Sequence, residues 1–177
     1  MTSDAVTRVC ILGAESTGKT TLANVLAERH DTVWVPEYGA VYHHRGRGDP
    51  NREWTDDEFV HIAVIQTWLE EFLAAFANDV LFCDTDAYTT AVFAELYLGH
   101  AVPEVAALAR TYDLYVLCDR ETPFERDALG LRRQDARTDM DRRYRERIDA
   151  VGAPFVEARG TTEERVAQVN AALQRLE

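Results

Sequence analysis

A short segment near the start of the chain has the residue types that bind phosphate. It matches the pattern G-x-x-x-x-G-K-[ST] at every fixed position. Its residues are Gly13, Ala14, Glu15, Ser16, Thr17, Gly18, Lys19 and Thr20. Glycines at both ends let the backbone curl so that successive N–H groups meet phosphate oxygens, and the N-terminus of a following helix adds partial positive charge. The segment predicts a site for the phosphates of a nucleotide triphosphate, with Thr21 as a further contact.

Two side chains of this segment have individual roles in the prediction. Lys19 would span the β- and γ-phosphates, and the Thr20 hydroxyl would bind Mg²⁺. Lys19 is also the only lysine among the 19 lysine and arginine residues of the chain. A GC-rich coding bias explains the missing lysines, and the one that remains indicates a position where a compact ammonium fits but a planar guanidinium does not.

Carboxylates follow another apolar run. Val80–Cys83 leads directly into Asp84, where an aspartate beside a phosphate loop would hold Mg²⁺ directly or through water. Asp86, two residues on, would hold a second water or the substrate. The alternative is that these aspartates only cap the next helix, a role that suits Asp86 in particular.

Glu37 lies at the end of a second apolar run, in the sequence Val35-Pro36-Glu37. A carboxylate there would face the γ-phosphate across the cleft and accept a proton from an attacking hydroxyl, or orient it. The alternative interpretation is a solvated loop charge.

An arginine-rich segment covers approximately residues 120–137 and continues to 147. Arg132, Arg133 and Arg137 are predicted to belong to a lid that closes over the triphosphate and meets charge in the transition state. The alternative is a solvated helix with i,i+4 ion pairs such as Asp139 with Arg143, and this alternative is favoured from Arg142 onward.

Strand-like and helical patterns alternate along the chain. The apolar runs are Arg8–Gly13, Thr32–Val35, Val80–Cys83, Leu114–Cys118 and Pro154–Val156. The helical patterns are Lys19–His30, Asp56–Ala77, Ala87–Leu98, Pro103–Thr111, Asp135–Val151 and Thr162–Leu176. Short runs of this kind are typical of strands buried on both faces of a parallel sheet. We therefore predict one α/β domain over residues 1–177, a three-layer P-loop fold with a mainly parallel five-stranded sheet, helices on both faces and the lid.

Composition limits the classes of partner. The formal net charge of −12 disfavours general binding to nucleic acid or to membrane phosphates. No apolar run is long enough to span a bilayer, and the N-terminus does not resemble a secretory signal. Three widely spaced cysteines without a CxxC pattern indicate buried, reduced thiols, so we expect a cytoplasmic protein.

The motifs together resemble the ribosylnicotinamide kinase domain of NadR-type bacterial NAD-salvage proteins. The matching segments are ILGAESTGKTTLA at 11–23, PEYG at 36–39, LFCDTDAYTT at 81–90, YLG at 97–99 and YDLYVLCD at 112–119. The phosphate loop is shared with many NTPases, whereas the combination of PEYG with DTD-x-x-TT is more particular.

The resemblance implies ATP-dependent phosphorylation of the 5′-hydroxyl of nicotinamide riboside, with Glu37 as the catalytic base. It also implies a substrate pocket, for which Tyr38, Trp54, Gln66 and Asp86 are the candidates. Trp54, Trp68 and Tyr88 are the aromatic residues that could hold the flat ring, and Trp54, at a loop end before a helix, is the preferred one; aromatic residues at helical spacing are more often core. Gln66 would hydrogen-bond the substrate, with a surface glutamine as the alternative.

The sequence departs from the family at two places. Ala40 stands where the family commonly has arginine after PEYG, and the D-G-L-R motif of the lid is interrupted, so that only Gly130-Leu131-Arg132 remains contiguous. Because about seven residues precede the first strand, we expect a free-standing kinase domain.

Other functions stay open at this point. A kinase of another nucleoside or small hydroxyl compound is one alternative. A regulatory P-loop NTPase is another, although no base-reading N/T-K-x-D motif is present. The sequence does not predict the oligomeric state.

Overall fold

The computed structural model describes residues 6–49, 52–119 and 134–176. Its strands are β1 (Thr7–Leu12), β2 (Trp34–Val35), β3 (Val80–Asp84), β4 (Leu114–Cys118) and β5 (Phe155–Ala158). Its helices are α1 (Lys19–Arg29), α2 (Tyr38–Val41), α3 (Asp56–Ala74), α4 (Ala87–Leu98), α5 (Pro103–Ala106), α6 (Gln134–Val151) and α7 (Thr162–Leu173). A π-helical turn over Tyr42–Gly46 continues α2.

The strands form one sheet in the order β2-β3-β1-β4-β5, and all four pairings are parallel. β1 is central, so Ile11 pairs with Asp84 of β3 on one side and with Val116 of β4 on the other. The carboxyl ends of β1, β2 and β3 therefore meet at one edge of the sheet. The predicted α/β fold with a five-stranded sheet is confirmed.

Helices pack on both faces of the sheet. Along β1, Val9 and Ile11 face a core that includes residues of α1 and α7, whereas Cys10 and Leu12 face residues of α3, α4 and α6. This alternation follows from the two-residue repeat of a strand, and it explains why the buried stretches Val9–Leu12 and Val80–Cys83 are apolar at successive positions. All three cysteines are buried and reduced.

Local signals fix the starts of two helices. Thr55 accepts a hydrogen bond from the Glu58 backbone at 3.4 Å, and Glu58 accepts one from the Thr55 backbone at 3.1 Å, so the two residues form a capping box at the start of α3. Thr161 and Glu164 form the same arrangement at the start of α7. Thr161 is therefore the N-cap of α7.

Three differences from the predicted elements stand out. α5 ends at Ala106 instead of Thr111, and α3 ends at Ala74 instead of Ala77. The helical segment that begins at Tyr38 was not predicted, because it is short and its pattern is interrupted by Gly39 and Gly46. In the part of the chain that the structure describes, no helix has the length and apolar character needed to cross a bilayer.

Candidate functional site

The loop between β1 and α1 has an unusual backbone. Ser16 and Gly18 have positive φ angles of 58° and 84°, and Gly13 has φ 153°. A Cβ atom on Gly13 would lie 2.7 Å from the Thr17 hydroxyl, which is too close, and 3.0 Å from the Cys118 carbonyl oxygen, which is a tight contact. Left-handed residues in such a loop turn successive N–H groups toward one side, which is the geometry of an anion site.

Internal hydrogen bonds hold this loop. The Thr17 hydroxyl donates to the Ala14 carbonyl at 2.8 Å, and the Lys19 ammonium donates to the same oxygen at 3.0 Å. Lys19 is buried and begins α1, and Gly18 precedes it without a side chain that could cap the helix. The loop therefore combines a fixed ammonium with backbone amides at a helix start, as phosphate binding requires.

A cavity of about 700 Å³ lies over the loop, and we call it the phosphate cavity. Six of its lining residues come from the loop and the start of α1: Glu15, Ser16, Gly18, Lys19, Thr20 and Thr21. Gly13, Ala14 and Thr17 lie behind this surface, where they are buried or hold its shape.

Asp84 reaches the phosphate loop from the end of β3. Its Oδ2 accepts a hydrogen bond from the Thr20 hydroxyl at 2.5 Å, and its side chain is fully buried. Its other oxygen, Oδ1, has no hydrogen-bond partner within the described residues. Burial raises the pKa of Asp84, and the nearby Lys19 ammonium partly opposes this effect. A buried carboxylate with one unused oxygen beside a hydroxyl is suited to a hard cation.

The chain turns sharply after Asp84, at Thr85. Thr85 has a φ of 66°, which is rare for a β-branched residue. The turn separates the two aspartates, because Asp86 points into α4 and accepts hydrogen bonds from the Thr89 backbone at 2.8 Å and from the Thr89 hydroxyl at 2.9 Å. Asp86 is thus the cap of α4, and it lies outside the lining of both cavities described here.

Glu37 follows β2 and precedes α2. It lines the phosphate cavity and also a second cavity on its other side. Burial raises the pKa of Glu37 to about 7; Lys19 acts to lower it and Asp84 acts to raise it. A carboxylate whose pKa lies near neutral pH is suited to take up a proton during a reaction.

The second cavity has a volume of about 480 Å³ when the space open to solvent is included, and we call it the aromatic cavity. Its lining includes the rings of His43, Trp54, Phe59, Phe93 and Tyr97. The ring centroids of Trp54 and Tyr97 are 5.5 Å apart, and the buried Arg47 guanidinium lies 3.9 Å from the centre of the Trp54 ring. Trp54 is thereby held in place, and the cavity offers apolar walls to a flat ligand.

Gln66 of α3 connects this cavity to the backbone of Tyr38, the residue after Glu37. Its Oε1 accepts a hydrogen bond from the Tyr38 backbone at 2.8 Å, and its buried Nε2 has no hydrogen-bond partner among residues 6–49, 52–119 and 134–176. Gln66 lines the aromatic cavity, as does Trp54. Tyr38 does not, because its hydroxyl lies 3.1 Å from His61 on the outside of α3.

Several lining residues were missed from the sequence. Ala40 and Phe93 line both cavities, and Thr89 and Thr90 line the aromatic one. The threonines are part of the DTD-x-x-TT motif, and Phe93 follows one helical turn later, so helical spacing was the available signal.

The predicted lid falls mostly outside the described residues. Arg132 and Arg133 are among the residues not described, and Arg137 is a half-buried residue in the first turns of α6. Further along α6, Arg143 pairs with Asp139 at 2.7 Å and Arg145 with Asp141 at 3.0 Å. The alternative interpretation of the sequence from Arg142 onward, an ion-paired helix, is confirmed.

A glycine-bounded loop of this geometry between β1 and α1 places the chain among the P-loop nucleotide-binding proteins. More particularly, the chain belongs to the AAA domain family AAA_28, whose family model matches residues 8–165.

Individual relatives point in the same direction. The trifunctional NAD biosynthesis/regulator protein NadR of Salmonella typhimurium is 38% identical over 128 residues, which cover 70% of this chain and 31% of that protein. A NadR protein solved in complex with NR has a TM-score of 0.72 at 21% identity, covering 97% of this chain and 52% of the other. A NadR protein solved in complex with NAD and AMP-PNP has a TM-score of 0.73 at 22% identity, covering 97% of this chain and 49% of the other.

The resemblance to NadR-type proteins is therefore confirmed. The chain spans about a third of the length of the curated relative and about half of each solved chain.

Proposed function

We propose that this protein is an ATP-dependent kinase that transfers the γ-phosphoryl group to the 5′-hydroxyl of nicotinamide riboside, giving nicotinamide mononucleotide. The names of its relatives support a role in NAD biosynthesis, and solved NadR proteins bind NR and the ATP analogue AMP-PNP. We take that NR to be nicotinamide riboside. The kinase unit is proposed to occupy residues 1–177 as one cytoplasmic domain.

The position of Glu37 carries this proposal. It lines the phosphate cavity and the aromatic cavity at once, and the pKa of its carboxyl is raised to about 7. A kinase needs a proton acceptor between its phosphate donor and its alcohol acceptor. A nucleotide switch has no use for a second, aromatic cavity on the far side of such a carboxylate.

The reaction assigned to these residues is an in-line displacement. Glu37 takes the proton of the 5′-hydroxyl, the oxygen forms a bond to the γ-phosphorus, and the bond between that phosphorus and the β,γ-bridging oxygen breaks to release ADP. Lys19 and the loop amides hold the phosphates throughout. Arg132, Arg133 and Arg137 are proposed to meet the charge on the transferring group.

Mg²⁺ fits the residues beside the loop. The unused Oδ1 of Asp84 and the Thr20 hydroxyl form a donor set of oxygens, which this cation prefers. Both residues would hold the ion, directly or through water. When bound, Mg²⁺ neutralises phosphate charge and orients the triphosphate.

The nucleoside is proposed to bind in the aromatic cavity. Trp54 would pack against the nicotinamide ring, and the free amide hydrogens of Gln66 would donate to a polar group of the substrate. Tyr38 and Asp86 would contribute indirectly. Tyr38 holds the Gln66 amide through its backbone, and Asp86 holds Thr89, which lines the cavity.

The direct test is an ADP-release assay that compares nicotinamide riboside with the common ribonucleosides and deoxyribonucleosides. We expect nicotinamide riboside to give the highest kcat/KM and ATP turnover to be nearly absent without an acceptor. If only another nucleoside stimulated ADP release, the assignment of the substrate would be wrong, but the protein would still be a kinase. Slow hydrolysis that no nucleoside changes would overturn the kinase itself.

A further inference from the structure

A buried arginine touches the phosphate loop from behind. Arg165 belongs to α7 and is only 6% exposed. Its Nη1 donates a hydrogen bond to the Thr17 carbonyl at 2.6 Å, and its Nε donates to the Gly160 carbonyl at 3.0 Å. It thus links the last helix to a loop that lies 148 positions earlier in the chain.

The carbonyl that Arg165 binds belongs to a functionally important peptide unit. The Thr17 C=O and the Gly18 N–H are parts of one planar, trans amide, so they point in opposite directions. Gly18 lines the phosphate cavity, and the side of Gly18 on which a Cβ would stand faces Arg165 at 3.5 Å. The Gly18 N–H therefore points away from Arg165.

A charged donor does more than complete the hydrogen bonding of the Thr17 carbonyl oxygen. A cation that binds the carbonyl of an amide polarises the unit and strengthens its N–H as a donor. Thr17 is completely buried, so its carbonyl requires a partner in any case. A neutral donor would meet that requirement, whereas a guanidinium also adds positive potential beneath an anion site.

We propose that Arg165 is a positioning residue for the nucleotide: it fixes and polarises the Thr17–Gly18 peptide so that the Gly18 N–H binds a phosphate oxygen more strongly. The proposal rests on the nucleotide-binding part of the proposed function and is independent of the nucleoside. The capping box at Thr161 and the buried Val166 and Val169 anchor the helix that carries Arg165.

The test uses the full chain with Arg165→Met, Arg165→Lys and a control, Arg175→Met, which changes an exposed arginine on the segment just after α7. The probe is AMP-PNP with MgCl₂, titrated by calorimetry without any nucleoside. We expect Arg165→Met to raise the Kd about tenfold, the effect of one charge-assisted hydrogen bond. Arg165→Lys keeps the charge but loses the forked guanidinium, so its Kd should lie between those of the parent protein and Arg165→Met. The Kd of Arg175→Met should equal that of the parent protein.

A second measurement separates this role from simple support of the fold. The Gly18 amide proton resonance should move upfield in Arg165→Met and much less in Arg165→Lys, because polarisation lowers the shielding of the proton. An unchanged Kd in Arg165→Met, or equal weakening in both variants with an unmoved Gly18 resonance, would overturn the proposal. If Arg165→Met does not fold, Arg165→Lys alone decides it by the same two readouts.

Failure of the proposed kinase function is distinguishable from failure here. A protein that binds AMP-PNP but phosphorylates no nucleoside would sink the former and leave the Arg165 measurements intact. Normal kinase activity together with an unchanged Kd for AMP-PNP in Arg165→Met would overturn the role of Arg165 and leave the kinase function intact.

Discussion

The two cavities on either side of Glu37 are built in different ways. The phosphate cavity is formed mostly by one continuous stretch of chain, residues 15–21, and its shape depends on backbone angles. The aromatic cavity is formed by side chains from α2 and the turn after it, α3, α4 and the loops between them. A phosphate chain is the same in every nucleotide, so backbone can bind it, whereas a nucleoside must be distinguished by side chains.

This difference predicts how each region responds to substitution. A change in the phosphate cavity should weaken the binding of any nucleotide. A change in the aromatic cavity should alter the response to the acceptor and leave nucleotide binding unaffected. Glu37 belongs to both, so its substitution should affect the chemical step itself.

Lys19→Ala should have the largest effect. We expect nicotinamide riboside-dependent ADP release to fall on the order of 10⁴-fold, because the ammonium that meets the phosphates is lost. Lys19→Arg is the control for charge, and we expect it to fail as well, since a guanidinium does not fit the tight loop. Activity near that of the parent protein in Lys19→Arg would contradict the importance of the loop shape.

Glu37→Gln should follow in magnitude. The amide cannot accept the proton, so kcat should fall about 10³-fold, within the range of general-base catalysis. The Kd for AMP-PNP should stay the same, because Glu37 lines the phosphate cavity from outside the loop, Gly13 to Thr21, that binds the phosphates. Steady-state kinetics and calorimetry on one preparation check both statements, and an unchanged kcat would remove Glu37 from the mechanism.

Glu70 shows that a raised pKa alone does not make a catalytic group. It is fully buried on α3, accepts hydrogen bonds from the Tyr112 hydroxyl at 2.9 Å, and lines neither cavity. Burial raises its pKa to about 7, against the opposing effects of Tyr112 and Arg110. Because the pKa of Glu70 in the folded protein lies above its unfolded value, the fold favours the protonated form. The stability that this protonated carboxyl contributes is lost as the pH rises through 7.

Glu70→Gln should therefore stabilise the protein at high pH. Relative to the parent, the gain in the free energy of unfolding should be near zero at about pH 4.5 and grow to roughly 3 kcal/mol above about pH 7. Urea unfolding at these two pH values measures it. A difference between the proteins that does not depend on pH would contradict the raised pKa, and catalysis should be unaffected.

Trp54→Ala should have the smallest effect of the four. Loss of one stacking wall should raise the KM for nicotinamide riboside about tenfold, as for other rings stacked on an aromatic side chain. The KM for ATP should not change. Trp68→Ala is the matched control, because Trp68 is 55% exposed on α3 and lines neither cavity. Equal effects of the two substitutions would place the nucleoside elsewhere.

The sequence predicted the phosphate cavity better than the aromatic one, for a physical reason. The residues from Gly13 to Thr21 are contiguous, and their spacing alone determines the loop. The strands were also predictable, because residues buried on both faces of a parallel sheet must be apolar throughout.

The aromatic cavity depends on contacts between distant segments. Phe93 of α4 and His43 of the turn after α2 line the same cavity although they lie far apart in the chain, and that turn was not predicted. Asp86 illustrates the same limit, since both capping and substrate binding suit an aspartate at the start of a helix. Arg165 has no motif that distinguishes it from other charged helical residues, and only the fold brings it to Thr17.

The pH dependence of kcat/KM for nicotinamide riboside tests the central claim most directly, because it reports the pKa of the base in the free enzyme. With Glu37 between the cavities, activity should rise with pH about a midpoint near 7, the value to which burial raises the pKa of this carboxyl. This rise of activity with pH should persist in Glu70→Gln and vanish in Glu37→Gln. If Glu37→Gln kept the same rise of kcat/KM with pH, another group would be taking the proton, and the account would be contradicted.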